Sequence, residues 1–309
     1  MLSQFAIVPR AFSPAHATSP NALDSGIGSL NDLCRAEGLF LDLRNGGWSA
    51  FLSSLNDRGK AFLSFAKKRN RIITVEGKLK TDPNEDDEWL WEAQAINDKG
   101  RCRAIVADDQ MAGENGHDAS ITSIERLNTT AWWENRSHSE EISRTTKNYL
   151  ETLWPLLKQA RLLMFVDPYI DPAAENYEEF PQILLSSGSK ELRPRIQIHR
   201  ASWRRDTAGK LVTQGLGAWN ADFAAWSNQL EAAGITCEVY IWPDVHDRFL
   251  VTDIISINLP NGFDIAKRAH APTRWTRLTQ QDQERLQKEY DPSCRMHGSA
   301  GCFVIGKTP

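Results

Sequence analysis

One segment of the chain gathers titratable side chains at the start of a strand-like run. The segment DVHDRFLVTD, from Asp244 to Asp253, follows the strand-like CEVYIW. Within it, His246, Arg248 and Asp253 have the spacing H-x-R-x4-D. An ordinary strand alternates apolar and polar residues and does not collect ionisable groups at one end. The pattern indicates either a polar strand entrance or an active site, and we favour the active site.

The spacing of His246 and Arg248 suits chemistry on a phosphate. On a strand the two side chains would project to the same face, because side-chain direction repeats every two residues. The guanidinium can bind two non-bridging oxygens while the imidazole attacks phosphorus or protonates a leaving oxygen. A neutral imidazole is a competent nucleophile near neutral pH. We therefore expect phosphodiester chemistry that needs neither a metal nor another cofactor.

The same stretch resembles the signature of the phospholipase D superfamily, H-x-K-x4-D, with Arg248 in place of lysine. LLMFVDPYID, RIQIHR and CEVYIW resemble the core strands of such a domain, and NGFDIA resembles the glycine-bearing segment that follows the motif. The resemblance covers about residues 145–280. It implies that His246 is the nucleophile and that Asp253 is an orienting or structural partner.

The resemblance implies a nuclease-like phosphodiesterase that forms a phosphohistidine intermediate. One histidine attacks, and a second protonates the leaving group. The chain has one convincing motif, so the resemblance implies a homodimer in which two His246 residues form one site. A rival copy within the chain, His199, Ala201 and Asp206, lacks the central cation. By analogy, single-motif proteins of this kind also point to bacterial defence or mobile-element systems.

Two departures from the family pattern favour a second hypothesis. Arg248 is bulkier than lysine, and Pro260 and Asn261 stand where small residues are expected, with Gly262 displaced. A non-catalytic nucleic-acid-binding or assembly subunit of a larger complex would tolerate both departures.

Candidate substrate-binding residues lie in three other segments. Asp167 and Tyr169 end a strand-like segment, although DPY is equally an ordinary strand exit, and Asn261 lies in the glycine-bearing segment. A basic cluster with Trp203 in its midst suits a nucleic-acid backbone, and a solvated loop explains it equally well. That cluster consists of Arg200, Arg204 and Arg205.

Two other patterns compete weakly with this hypothesis. His246 and Asp247 form an HD pair, the metal dyad of one phosphohydrolase class, but that class places it on helices. Glu76 and Lys78 give the E-x-K of restriction-type nucleases, with Asp42 as a loosely placed carboxylate. No P-loop, GxSxG or dinucleotide fingerprint occurs in the sequence.

Composition predicts a soluble protein. The chain has 309 residues, 41% of them hydrophobic and 25% charged, with a net charge of −4, so a nucleic acid would need a local basic patch. Five scattered cysteines without a CxxC indicate reduced thiols. No apolar run approaches about 18 residues, so we expect a cytoplasmic protein with no membrane span.

Pattern analysis predicts two regions with different rhythms. Residues 1–135 are expected to be an α+β region of unknown role, with an irregular lead-in over residues 1–30. An antiparallel meander of IITVEGKLK, EWLWEAQAI and RCRAIVAD should follow. Residues 136–309 alternate strands and helices, which predicts a layered α/β domain, and the resemblance implies that this domain is a phospholipase D-like α/β/α domain. SHSEEISRTTKNYLETLWPLLKQA is predicted to be one helix, with Ser137 and Glu140 as a capping box.

Overall fold

The computed structural model describes residues 1–79, 86–100, 102–189, 192–205, 208–266, 271–294, 296–298 and 301–306. The chain forms two compact units, Leu2–Ser137 and His138–Pro309, the second of which includes Met1. Each unit has its own sheet, so the general α/β class is confirmed. In the described ranges, no helix combines the length and apolar character that crossing a bilayer requires.

The N-terminal unit is built on a parallel sheet. Its strands are β1 Ser3–Ile7, β2 Gly38–Asp42, β3 Ile72–Thr74, β4 Cys102–Ala107 and β5 Ile121–Ser123. Its α-helices are α1 Pro20–Ala36, α2 Leu43–Leu55, α3 Asp57–Lys68, α4 Asp86–Ile96, α5 Asp109–Glu114 and α6 Ala131–Glu134. Short 3-10 turns cover Pro9–Phe12, Pro14–His16, Asn97–Lys99 and Ile124–Thr129. Among these strands the order is β3-β2-β1-β4-β5, and every residue of β2 is buried, as in sheets covered on both faces.

The predicted antiparallel meander is wrong. The strands of this unit pair in parallel, and β1, which falls in the expected irregular lead-in, lies at the centre of the sheet. EWLWEAQAI forms α4 instead of a strand. Trp89 and Trp91 alternate in the sequence as they would on a strand, but Trp91 is 56% exposed while Glu92 is buried. Burial of that charged residue hid the helical pattern.

Glu92 is buried because it has partners for its charge. Its carboxylate accepts from Nε and Nη2 of Arg44, both at 2.8 Å, and from the main-chain amides of Lys78 and Leu79. Arg44 is itself largely buried and has a φ of 56°, in the left-handed region that non-glycine residues rarely adopt. The ion pair therefore fixes the turn after β2 and the segment after β3 to α4.

We expect Glu92→Ala to lower the free energy of unfolding of the N-terminal unit by about 3–5 kcal/mol, because it leaves Arg44 as an uncompensated buried charge. Urea denaturation followed by circular dichroism measures the change. Asp87→Ala, at an exposed position of the same helix, is the matched control and should stay within about 0.5 kcal/mol of the wild type. Equal stability of the two variants would contradict the proposed role of the ion pair.

The C-terminal unit is built on a mixed sheet. Its strands are β6 Ser139–Ser143, β7 Leu162–Val166, β8 Arg195–Ala201, β9 Trp203–Arg205, β10 Leu211–Thr213, β11 Thr236–Trp242, β12 Phe249–Thr252, β13 Ser256–Asn258, β14 Pro272–Arg277 and β15 Gly301–Gly306. Its helices are α7 Thr146–Gln159, α8 Phe180–Leu185, α9 Leu216–Ala232 and α10 Gln280–Glu289, with a 3-10 turn at Glu175–Tyr177. Within the described ranges the sheet order is β15-β11-β8-β7-β12-β13-β14-β6, and β9 and β10 form a separate hairpin.

Helices cover both faces of this sheet. Phe165 of β7 packs edge-on against Phe180 of α8, with ring centroids 5.5 Å apart. Met164, the next residue along β7, belongs to a cluster with Leu286 and Tyr290 at the other end of the unit's sequence, in and just after α10. Successive side chains of a strand point to opposite faces, so α8 and α10 lie on opposite sides.

The start of the C-terminal unit differs from the prediction. The expected helix with a Ser137–Glu140 capping box is wrong, because Ser139–Ser143 forms β6, which pairs with β14. Helix α7 begins after Thr145, whose side chain accepts from the amide of Asn148. Helix α9 ends at Ala232, and Gly234, two residues later, has a φ of 67°, as a glycine that ends a helix commonly does.

Candidate functional site

One edge of the eight-stranded sheet gathers most of the residues expected to do chemistry. β7, β8 and β11 are parallel, so their carboxyl ends meet at this edge, and the antiparallel β12 begins there. Asp167 and Tyr169 follow β7, Trp203 lies just past β8, and His246 and Arg248 precede β12. Ligands of open α/β sheets bind outside the carboxyl ends of the strands. The topology thus places these residues where such a fold builds its sites.

His246 is a solvent-exposed imidazole with a carboxylate partner. Its side chain is 72% exposed, and its Nε2 lies 2.8 Å from Oδ1 of Asp244. A carboxylate only accepts hydrogen bonds, so Nε2 carries the hydrogen and Nδ1 holds the lone pair of the neutral ring. Asp244 therefore orients the ring and leaves Nδ1 available to act as a nucleophile or base.

His246 and Arg248 do not lie on a strand, which corrects the expectation that they share a strand face. β12 begins at Phe249, and both residues belong to the connection from β11. That connection must pass the ends of β8 and β7 before β12 can pair with β7. Pro243 follows β11 directly, and Val245 is fully buried, which anchors the crossing.

Arg248 is turned toward the protein instead of the solvent. Its Nε lies 3.6 Å from Oδ1 of Asp167, its Nη1 donates to the carbonyl of Pro260, and its guanidinium lies 4.6 Å from the ring centre of Tyr169. The side chain is 28% exposed. Arg248 therefore ties together the turns that follow β7 and β13, and the protein itself engages its Nη1 and part of its charge.

Asp167 is a fully buried carboxylate. Its oxygens accept from the amide of Tyr169 at 3.0 Å, the hydroxyl of Tyr177 at 2.8 Å and the amide of Phe263 at 3.1 Å. Burial raises the pKa of Asp167, and these hydrogen bonds and the charge of Arg248 partly oppose the shift. With so many donors around it, Asp167 has a positioning role and offers no oxygen to a ligand.

Close contact with Asp167 explains why the glycine stands at position 262. Gly262 has a φ of 65°, and a Cβ at this position would overlap the carboxylate of Asp167. The turn of residues 260–263 can therefore approach Asp167 only through a glycine. Asn261, predicted to bind substrate, is exposed beside it.

Asp253 lies away from His246. Its Oδ1 accepts from the amides of Arg161 and Leu162, at 2.8 and 3.2 Å, at the start of β7. Because β12 and β7 are antiparallel, this is the opposite edge of the sheet from His246. Asp253 joins the two strands, as the expected structural partner would, and is not part of the candidate site.

The three arginines of the basic cluster have different surroundings. Arg200 is buried, its guanidinium donates to the carbonyls of Pro168, Ile170, Ala201 and Trp203, and burial lowers its pKa to about 9. It holds the turns after β7 and β8 together, which does not fit the predicted substrate-binding role. Arg204 forms ion pairs with Asp171 and Asp222. Arg205 is exposed and donates to the carbonyl of Gly209.

His199, the centre of the rival motif, is a buried core residue. Its Nδ1 accepts from the indole of Trp242 at 3.0 Å, its Nε2 lies 3.4 Å from the side-chain oxygen of Gln197, and its ring stacks on Tyr240. Burial lowers the pKa of His199 from 6.5 to about 3. It cannot serve as the second catalytic histidine without exposure to solvent. Asp206 of that motif lies outside the described residues.

The competing sequence patterns do not assemble into sites. Asp42 accepts from the amide and hydroxyl of Ser49, at 2.9 and 2.6 Å, so both of its oxygens are engaged. β3 ends at Thr74, before Glu76 and Lys78, so the E-x-K residues do not lie on a strand. In the part of the chain that the structure describes, no three His, Cys, Asp or Glu side chains are grouped as metal ligands.

Asp244 was not among the candidate residues predicted from the sequence, and Trp203 was given no role of its own. Asp244 precedes His246 by two positions, and this D-x-H spacing was the available signal. The half-buried Trp203 has its ring centre 6.2 Å from that of His246 and 5.2 Å from that of Tyr169. The sequence could not reveal this contact, because it joins the connections of two different strands.

Comparisons with known proteins add little to this description. The chain matches no family model and no curated protein. A solved structure of TrmBL2, described as an archaeal chromatin protein with a novel mode of DNA binding, covers 75% of this chain and 78% of its own. The identity is 11% and the TM-score is 0.26. A likeness this weak carries no argument about fold or function.

We expect Gly262→Ala to destabilise the C-terminal unit more than Gly209→Ala. Gly209 has a φ of 81° and no atom near the position of a Cβ, so its substitution adds only the left-handed strain of about 1–2 kcal/mol. Gly262→Ala adds overlap with Asp167, which costs roughly 1–3 kcal/mol more. Urea denaturation measures the free energy of unfolding of both variants. Equal losses of free energy would show that the close approach of residue 262 to Asp167 is unimportant for stability.

We expect His199 to make stability depend on pH. Its folded pKa is about 3 and its ordinary value is 6.5, so its stabilising contribution is fully present above about pH 6.5 and is lost as pH falls. The loss approaches roughly 1.4 kcal/mol per pH unit. The free energy of unfolding, measured between pH 7 and about pH 4, should depend less steeply on pH in His199→Phe than in the wild type. The same dependence on pH in both proteins would contradict the expectation.

Proposed function

We propose that the chain is a phosphodiesterase of the phospholipase D kind that acts on nucleic acid through His246. The observation that carries this proposal is the exposed imidazole of His246, oriented by Asp244 at the carboxyl edge of the sheet. A nucleophile held by a second group and open to solvent is the arrangement that covalent catalysis on a phosphate requires.

In the proposed reaction, Nδ1 of His246 attacks phosphorus in line with the leaving oxygen. A P–N bond forms, the P–O bond to the leaving group breaks, and a second imidazole gives that oxygen a proton. The second imidazole then takes a proton from water, whose oxygen attacks phosphorus and breaks the P–N bond. Asp244 accepts a hydrogen bond from Nε2 throughout the reaction and stabilises the positive charge on the attacking ring.

The second imidazole is proposed to come from another copy of the chain. In-line displacement places nucleophile and leaving-group acid on opposite sides of phosphorus, so a single imidazole cannot do both. His246 is exposed, which supports a two-fold dimer in which His246 of the partner subunit faces it. The burial of His199 supports the same proposal, because it removes the rival histidine within the chain.

A second candidate function is favoured by the position of Arg248. Its contacts with Asp167, Pro260 and Tyr169 engage the cation that the proposed chemistry would place on the phosphate. A chain with this arrangement would bind nucleic acid or assemble with other proteins without cleaving a phosphodiester. Hydrolysis of a phosphodiester distinguishes the catalytic candidate from the binding or assembly subunit.

We expect the protein to hydrolyse bis(p-nitrophenyl) phosphate and oligonucleotides in excess EDTA, since the imidazole supplies the nucleophile. His246→Ala should lower the rate at least about a hundredfold, and Asp244→Asn should lower it less. His117→Ala, at an exposed histidine of the N-terminal unit, is the matched control and should retain the wild-type rate.

Mixing tests the dimer in the same assay. Wild-type and His246→Ala subunits should give mixed dimers that are inactive or that trap a phosphohistidine. Activity that needs magnesium or manganese, or that survives His246→Ala in a clean preparation, would overturn the proposed chemistry. Absence of hydrolysis by a folded wild type would favour the binding subunit.

A further inference from the structure

We propose that Trp203 is a stacking platform for an unpaired base, so that the nucleic acid accepted at this edge is single-stranded. The inference rests on the proposed function for the phosphate at His246, but it concerns binding and can be tested separately. It assigns a ligand class to an aromatic side chain that the proposed chemistry does not use.

The geometry of Trp203 suits one nucleotide. Its ring centre lies 6.2 Å from that of His246 with an angle of 30° between the planes. This separation is comparable to that between a nucleotide's base and its own phosphate. A base stacked beside Trp203 would therefore bring its phosphate within reach of the imidazole. Tyr169 meets Trp203 edge-on at 5.2 Å and 74°, and supports the indole from the side of Arg248.

The backbone of Trp203 is held in place, which lowers the cost of ordering it on binding. Its carbonyl accepts from Nη2 of the buried Arg200 at 2.7 Å, and it pairs with Thr213 in the β9–β10 hairpin. The next residue, Arg204, forms ion pairs with Asp171 of the turn after β7 and with Asp222 of α9. The indole is thus presented by a braced hairpin, although the side chain itself is only half-buried.

The charges around the site argue for stacking and against recognition of a duplex backbone. Of the three clustered arginines, Arg200 is buried and Arg204 is paired with two carboxylates. Asp244 and Asp247 are exposed on either side of His246. Duplex binding depends on neutralising several phosphates, and within the described ranges two of the three arginines clustered here are already engaged by the protein. Aromatic stacking supplies affinity without such charge, but only bases outside a duplex expose their faces.

The test uses fluorescence anisotropy with a fluorescein-labelled phosphorothioate oligo-dT, which resists cleavage, and the full chain. Trp203→Leu should weaken binding about tenfold, and Trp203→Phe should recover part of the loss. Trp154→Leu, at a tryptophan that is 52% exposed on α7, is the matched control and should bind like the wild type. A backbone of tetrahydrofuran abasic residues should bind the wild type and Trp203→Leu equally.

The inference is overturned if Trp203→Leu binds oligo-dT like the wild type, if it weakens the abasic backbone to the same degree, or if the wild type prefers a duplex. Circular dichroism of each variant shows whether it is folded, and Trp203→Phe keeps the test valid if Trp203→Leu is not. Cleavage of an unmodified phosphodiester backbone of abasic residues, measured in the wild type and His246→Ala, reports the proposed chemistry without any base. Binding that depends on Trp203, without such cleavage, would support the stacking role of Trp203 and reject the phosphodiesterase. Cleavage that depends on His246, without any effect of Trp203 on binding, would support the phosphodiesterase and reject the stacking role.

Discussion

The carboxylate of Asp167 is enclosed at the carboxyl end of β7, where Tyr169, Arg248 and the turn at Gly262 surround it. It accepts from the amides of Tyr169 and Phe263 and from the hydroxyl of Tyr177, and Arg248 lies against it. A buried carboxylate is costly unless it is surrounded by donors. Its neighbours are therefore constrained together: the turn at Gly262 must come close, and Arg248 must turn inward. Removing any one of them leaves part of a buried charge without its partner.

The same principle recurs at Arg200 and Glu92. Arg200 is buried beneath the candidate site with four carbonyls around its guanidinium, and Glu92 is buried in the N-terminal unit against Arg44 and two amides. In each case a charged side chain fixes connections between regular elements instead of an element itself. Connections have few backbone hydrogen bonds of their own, so a buried ion with several partners gives them a defined conformation. The position of Trp203 depends on such an arrangement.

The sequence allowed the central strands to be predicted and several candidate residues to be placed at their carboxyl ends, but not the direction of those side chains. β7 is an apolar run, and β8 and β11 carry apolar residues between polar ones, with turn signals at their ends. The approach of their carboxyl ends follows from their being parallel. β1 and α4 were missed, because β1 lies beside the proline- and serine-containing residues of the expected lead-in and because α4 buries Glu92 and exposes Trp91. The inward turn of Arg248 depends on Asp167, which is distant in the sequence, and no local pattern reports such a contact. Asp253 was expected to be an orienting or structural partner within the site, and its partners at the start of β7 could not be named from spacing.

The strand order of the C-terminal unit has a consequence for how the chain matures during synthesis. β6 is the first strand of this unit to be synthesised, yet it pairs with the late strand β14. β11 likewise pairs on one side with β15, which is synthesised after α10. The strands of the N-terminal unit pair with one another, so this unit can complete its sheet while the rest of the chain is still being synthesised. β11 has no such early partner on its outer side. Its apolar run of Val239, Tyr240, Ile241 and Trp242 keeps an open hydrogen-bonding edge until β15 emerges, and during that interval the nascent protein is exposed to pairing with the wrong chain.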